Sequence, residues 1–324
     1  MEKCAVWVSA FLFLLVMVSP VAVGVASPEN SDLIERSLQV GNLTRSFWVH
    51  LPGGSKPGAP SPLVFVLHGG AGASAQLMSR RYGFNAIADR EGFIVVYPYG
   101  VDGQWNDGRG KTFRRAKDNS SVDDVGFIDA VIEDLAREFA VDRRRIYVTG
   151  MSNGGMMTYR LGIELGTKLA AIAPMIANIP VNIVKKKPSS PLSVLIMNGT
   201  DDPLVPWRGG PVRVFGSDYG EVVSTEQSVQ YWLDGDKIPA KPDRVLLPDP
   251  VPTDGCRVEL VTYRKEGSPL EVLLYAIRGG GHEIPGSSTR EMPRLLGRKC
   301  MDINAAEIVW QFFKRHARND TLQP

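Results

Sequence analysis

The sequence predicts one α/β domain, a mostly parallel sheet with helices on both faces. Three observations predict it. Strand-like segments alternate with segments of helical spacing. Several strand segments, such as "PLVFVLHGG" and "GFIVVYPYG", are short, dense and apolar, as strands buried on both faces are. The chain has 324 residues, 44% hydrophobic and 22% charged, enough to bury a large core, and it shows no internal repeat.

Taken in order, the first element is a targeting segment. "MEKCAVWVSAFLFLLVMVSPVAVGVAS" joins a lysine, a long apolar run and small residues. It reads as a secretory signal peptide over 1–26, cleaved near Ala26, with an uncleaved anchor as the alternative. The domain then covers 27–324. "SFWVHLP" (Ser46–Pro52) alternates as a strand does, and "GGSKPGAPSP" makes a loop. "PLVFVLHGG" and "GFIVVYPYG" are the first buried strands. "VDDVGFIDAVIEDLAREF" sets Val125, Ile128, Val131, Ile132, Leu135 and Phe139 at helical spacing behind an acidic start. "RRIYVTG" is a strand and "GGMMTYRLGIEL" a helix. "LAAIAPMIA" and "PLSVLIMNG" are further strands. The region 203–255 is rich in Pro, Gly and Asp. It is expected to form a helix, at "STEQSVQYWL", and loops over the active-site face. "EVLLYAIRG" is a strand, and "INAAEIVWQFFKRH" is a closing amphipathic helix.

The net charge is +2, from 37 basic and 35 acidic residues, so no strong field argues for nucleic acid or an anionic membrane. After signal removal, Cys256 and Cys300 remain. In an oxidising compartment they are expected to form a disulfide, with two buried thiols as the alternative. Sequons stand at Asn42, Asn119, Asn198 and Asn319. Asn198 lies too near the candidate site to be an acceptor.

That site starts from "IYVTGMSNGG". Gly150-Met151-Ser152-Asn153-Gly154 fits G-x-S-x-G, with a strand entering and a helix leaving. Such a corner holds the serine oxygen clear of the sheet, and the glycines remove side chains that would collide with it. A serine hydroxyl needs a base. Of the four histidines, His282 in "GGGHEIPG" follows a buried strand directly and is the expected base. His50 reads as a surface or packed residue, His316, among Lys314, Arg315 and Arg318, as part of a solvated helix face, and His68 as a brace for its own loop. "PLSVLIMNGTDDP" ends a strand with Asp201 and Asp202. Either aspartate could orient the imidazole, the other being a turn residue before Pro203. The oxyanion hole is expected from the backbone N–H groups of Asn153 and of Gly70 in "LHGGAGAS", with Ala71 as the alternative to Gly70.

These motifs resemble the secreted esterase family of polyhydroxybutyrate depolymerase-like, feruloyl and acetylxylan esterases, on the α/β-hydrolase fold. The resemblance runs from "VFVLHGGAG" through "WND" (Trp105–Asp107), "VDDVGFIDAVIEDL" and "RRIYVTGMSNGGMMTYRL". It continues in "NGTDDPLVPW", "GGGHEIPG" and "DINAAEIVWQFFKRH". The family reads "HGTxDxxVP" at the acid, which implies Asp202. Trp105 resembles a residue that lines the family's substrate cleft, though by itself it could equally be a core aromatic; Trp207 is a further candidate on the substrate side. The family often has an aromatic residue two places after the catalytic histidine, where this chain has Ile284, following Glu283. The expectation is a serine carboxylic-ester hydrolase, secreted or periplasmic, needing no metal or organic cofactor. Its partner would be a small ester or an esterified polysaccharide or oligoester. No polymer-binding module follows the last helix, which favours soluble or polysaccharide esters over crystalline polyester. The alternatives are a serine peptidase on the same fold and a non-catalytic binding protein that kept the scaffold.

Overall fold

The computed structural model describes residues 33–53, 59–70, 72–112, 119–289 and 292–318. The expected signal segment, Ala71 and the sequon at Asn319 lie outside them. The strands are β1 (Leu33–Val40), β2 (Leu43–His50), β3 (Ser61–Leu67), β4 (Ile94–Pro98), β5 (Val141–Met151), β6 (Ala171–Met175), β7 (Ser193–Gly199), β8 (Gly210–Val214), β9 (Ser217–Val222), β10 (Asp243–Leu246), β11 (Arg257–Arg264) and β12 (Glu271–Arg278). The helices are α1 (Ala75–Tyr82), α2 (Phe84–Glu91), α3 (Asp124–Glu138), α4 (Asn153–Glu164), α5 (Thr225–Asp236), α6 (Pro293–Leu296) and α7 (Ala305–Phe313).

Ten strands form one sheet in the order β1-β2-β4-β3-β5-β6-β7-β12-β11-β10. The centre, from β4 to β12, is parallel. Antiparallel strands finish both edges. Burial explains the apolar runs. In β3, Leu63, Phe65 and Leu67 face the core shared with α3, α4 and α5. The intervening Val64 and Val66 face the core shared with α1, α2 and α7. A strand covered on both sides has no solvent face on which to place a polar residue. Each such side chain contributes roughly 1.5–3 kcal/mol of burial. Side-chain caps fix several helix starts: Ser74 on α1, Asp123 on α3, Asn304 on α7, and a capping box of Ser224 and Gln227 on α5.

Three features depart from the expectation. β1 pairs with β2 along its whole length, although "LIERSLQV" looks polar; it is an edge strand, half exposed. α1 and α2 are eight residues each, divided by Gly83 at φ +77°, too short to display a helical period. The region 203–255 holds more than one helix and loops. β8 and β9 make their own two-stranded sheet, and β10 extends the edge of the main one.

The expected disulfide is not formed in this structure. Cys256 and Cys300 are unbonded, buried thiols with their sulfurs within 4.8 Å. The two loops are joined instead by one carboxylate: Asp254 accepts from Cys256 N at 2.8 Å and from Met301 N at 2.7 Å. Among the described residues, no helix is long and apolar enough to cross a membrane.

Candidate active site

Ser152 stands between β5 and α4 at φ +54°, ψ −120°. A non-glycine residue at positive φ stores about 1–3 kcal/mol of strain. The surrounding glycines show why the corner is otherwise bare. A Cβ on Gly150 would lie 2.6 Å from Gly154 O, and one on Gly154 would lie 2.3 Å from His68 O. One on Gly155 would lie 2.6 Å from the Ala177 side chain. Strand, corner and helix are therefore packed backbone to backbone. Ser152 N donates to Met175 O at 3.0 Å, which ties the corner to the end of β6. Among the described residues, the Ser152 hydroxyl makes no hydrogen bond.

Asp202 and His282 are brought together. His282 Nδ1 lies 2.7 Å from Asp202 Oδ2, and both side chains are almost fully buried. The second oxygen, Asp202 Oδ1, accepts from Leu204 N and Val205 N at 2.8 Å each. The carboxylate cannot turn without breaking those bonds. Asp201, its neighbour, is exposed and accepts from the Thr200 hydroxyl. With Nδ1 engaged by a carboxylate, His282 carries its proton there and presents Nε2 as an acceptor. The glycine run before it permits close backbone approach. A Cβ on Gly281 would lie 2.0 Å from Leu296 O, and one on Gly199 would lie 2.3 Å from Gly280 O. His282 N itself donates to Leu296 O at 2.5 Å, so the strip 296–300 fixes the histidine loop.

The loop after β3 lies against the serine corner. The Cβ position of Gly69 is 3.6 Å from Ser152 Cβ, and that of Gly70 is 3.8 Å from Asn153 Cβ. Asn153 opens α4, whose first amides lack acceptors within the helix. His68 is occupied as a brace: Gly100 N donates to its Nε2 at 2.9 Å, and its Nδ1 donates to Gly69 O at 2.7 Å. Burial pulls its pKa down to about 4. Both nitrogens are used, so His68 is not available as a base.

Trp105 is 1% exposed, stacks on His68 at 4.8 Å between centroids and donates from Nε1 to His68 O at 2.9 Å. It sits beneath the loop as a core aromatic, the other possibility that its sequence context allows. Trp207 is half-buried, with Nε1 2.5 Å from Glu226 Oε1. It follows Asp202 along one short segment.

Sequence reasoning missed the polar clamp under the serine. The Asn153 side chain accepts from Trp105 N at 2.9 Å and donates to Trp105 O at 3.1 Å and to Asp107 Oδ2 at 2.6 Å. Asp107 is also paired with Arg109 at 2.8 Å, both side chains being 5% exposed or less. The signal was present in "WND", where a polar pair follows a tryptophan, but sequence does not reveal its partners. Glu283 lies directly after the histidine, where the sequence departs from the family pattern. It is buried, accepts from Thr289 Oγ1 at 3.1 Å, and burial pushes its pKa up.

Known proteins like this chain in sequence and fold include esterases. The family model described as "Esterase PHB depolymerase" matches residues 45–184. The putative esterase NocK of Nocardia uniformis subsp. tsuyamanensis is 29% identical over 288 residues, 86% of this chain and 81% of the relative. Feruloyl esterase B of Piromyces equi is 29% identical over 241 residues, 74% of this chain but only 42% of the relative. Among solved structures, the acetyl xylan esterase from Aspergillus awamori superposes with a TM-score of 0.54 at 12% identity, covering 87% of this chain and 99% of that one. At that identity the likeness speaks to fold alone. The chain thus has the α/β-hydrolase fold and is similar to esterases, among them the polyhydroxybutyrate depolymerase family over residues 45–184 and a feruloyl esterase.

Proposed function

We propose that this chain is an exported serine carboxylic-ester hydrolase with Ser152, His282 and Asp202 as its triad. The observation that carries the reading is the buried Asp202–His282 pair at 2.7 Å, on the same sheet rim as the strained Ser152 corner. The Ser152 oxygen attacks the ester carbonyl as His282 Nε2 takes its proton. Asp202 holds the ring and stabilises the imidazolium that forms. The carbonyl oxygen, now negative, is met by the N–H groups of Asn153 and Gly70. His282 then gives its proton to the leaving alcohol oxygen as the C–O bond breaks. Water, deprotonated by His282, attacks the acyl-serine; the acyl C–Oγ bond breaks, His282 returns the proton to Ser152 Oγ, and the acid leaves. The hydroxyl-to-imidazole hydrogen bond tightens as substrate binds.

The substrate is a carboxylic ester. A feruloyl or acetyl ester on xylan, or a short hydroxyalkanoate ester, is the class suggested by the relatives' names. Export through the segment 1–26 belongs to the same proposal, since decorated xylan is met outside the cell.

The test is turnover of a small aryl acetate by the wild type and by Ser152→Ala. The expected loss is at least about a thousandfold. Equal turnover in the two proteins would remove Ser152 from the chemistry. A panel of methyl ferulate, acetylated xylan and hydroxybutyrate oligomers, compared by kcat/KM, then ranks the acyl and alcohol groups.

A further inference from the structure

Strand β6 lies between β5, which leads to the serine corner, and β7, which leads to Asp202. The exit of β6, residues 175–178, is the bed of that corner. Met175 O accepts from Ser152 N at 3.0 Å, and the Ala177 side chain fills the space that Gly155 leaves. The exit is also strained. Ile176 has φ +44°. A β-branched residue is rare at positive φ and stays there only where its surroundings fix it.

The fixing comes from the end of β7. Ile176 N donates to Met197 O at 2.8 Å, and the next residue is held by the side chain of Asn198. Asn198 Oδ1 accepts from Ala177 N, and its Nδ2 donates to Ala177 O, both at 3.0 Å. These two bonds fix the peptide units on either side of Ala177.

The same amide reaches the segment that carries the acid. Asn198 Nδ2 also donates to Asn178 Oδ1 at 2.9 Å and to Thr225 Oγ1 at 3.0 Å. The Thr225 hydroxyl in turn donates to Asn178 Oδ1 at 3.0 Å. Asn178 Nδ2 donates to Pro206 O at 3.2 Å, and Thr225 N donates to Trp207 O at 2.8 Å. Pro206 and Trp207 follow directly on Leu204 and Val205, whose amides fix Asp202. Asn178, Asn198 and Thr225 are all 4% exposed or less. Burial keeps water from competing for these bonds, so a donor lost from the cluster leaves buried acceptors unpaired. Among the described residues, Asn198 makes no hydrogen bond to Ser152, Asp202 or His282. Its influence on them passes through the backbone.

We infer that Asn198 is a positioning residue that sets the acid relative to the nucleophile. It does so through Ala177 on one side, and through Asn178 and the segment 204–207 on the other. The inference rests on the triad proposed above, and its test separates the two.

The experiment is a double-mutant cycle with an aryl acetate as substrate. Asn198→Ala is expected to lower kcat about a hundredfold with KM within about threefold, as a misplacement of about 1 Å does. In an Asp202→Asn background the placement of the carboxylate has nothing left to set. There the same substitution is expected to lower kcat by less than about threefold. A role in folding alone would lower the amount of active protein equally in both backgrounds. Asn178→Ala cuts the limb to Pro206 and leaves the Asn198–Ala177 bonds in place. It is expected to lower kcat about tenfold, with the same dependence on Asp202, and it carries the test if thermal melts show that Asn198→Ala has lost its fold. An equal loss in both backgrounds, or a loss below about threefold with Asp202 intact, overturns the positioning role while Ser152-dependent turnover stands. Turnover that survives Ser152→Ala removes the triad, and the positioning role falls with it.

Discussion

At the residue scale, two neighbouring aspartates show what sequence can and cannot decide. Asp201 and Asp202 both precede Pro203, and either could end the strand with a turn. The difference is in three dimensions: Asp202 is buried, with two amides on one oxygen and the imidazole on the other, whereas Asp201 faces solvent. Asp202→Asn is therefore expected to lower kcat on an aryl acetate by roughly ten-thousandfold through loss of the right histidine tautomer. Asp201→Asn should stay within about threefold of wild type, and a reversed order would transfer the role. Ser152 and His282 were legible because glycines mark places where a Cβ cannot fit, and glycines are visible in sequence. The Asn153–Asp107–Arg109 clamp was not, because Asn153 and Asp107 are 46 positions apart and Arg109 lies in a loop that looks ordinary. Asp107→Ala would leave Arg109 buried with its charge unpaired. A loss of about 3–5 kcal/mol in urea unfolding is expected. A loss below about 1 kcal/mol would mean that Arg109 finds another partner.

At the scale of elements, α5 combines structural and pH-dependent roles. Its last turn buries Asp236, which accepts from Leu192 N at 3.1 Å through one oxygen while the other has no partner among the described residues. Burial pushes its pKa from 3.8 up to about 7. A carboxyl raised in the folded state binds more protons folded than unfolded. Its contribution is full below 3.8 and is lost as pH rises to about 7. Asp236→Asn keeps the acceptor for Leu192 and removes the ionisation. It is expected to raise Tm at pH 8 and to change it little at pH 4; no difference at pH 8 would show that the carboxyl ionises there without cost. His68 acts in the opposite sense. Its pKa is drawn down to about 4 from 6.5, so its share of stability is present above 6.5 and is lost as pH falls toward 4. The buried strands and α3, α4, α5 and α7 could be read from apolar density and period. α1, α2, β1 and β8–β10 could not, since each is short or lies at an edge where burial leaves little pattern.

At the scale of the molecule, the parallel centre of the sheet explains why three distant segments leave it at one rim. β5, β7 and β12 run in one direction, so Ser152, Asp202 and His282 leave them at one rim. The sequence indicated that direction through its alternation of strands and helices. The extent of the sheet past β12 depended on β10 and β11, whose exposed or mixed faces give no clear signal. The most direct measurement of the central claim is intact-protein and peptide mass spectrometry after treatment with a fluorophosphonate ester. One adduct is predicted, on the peptide containing Ser152, formed at least about a hundredfold more slowly in His282→Ala and absent in Ser152→Ala. An adduct on another residue, or ester turnover that survives without any adduct, would contradict the account.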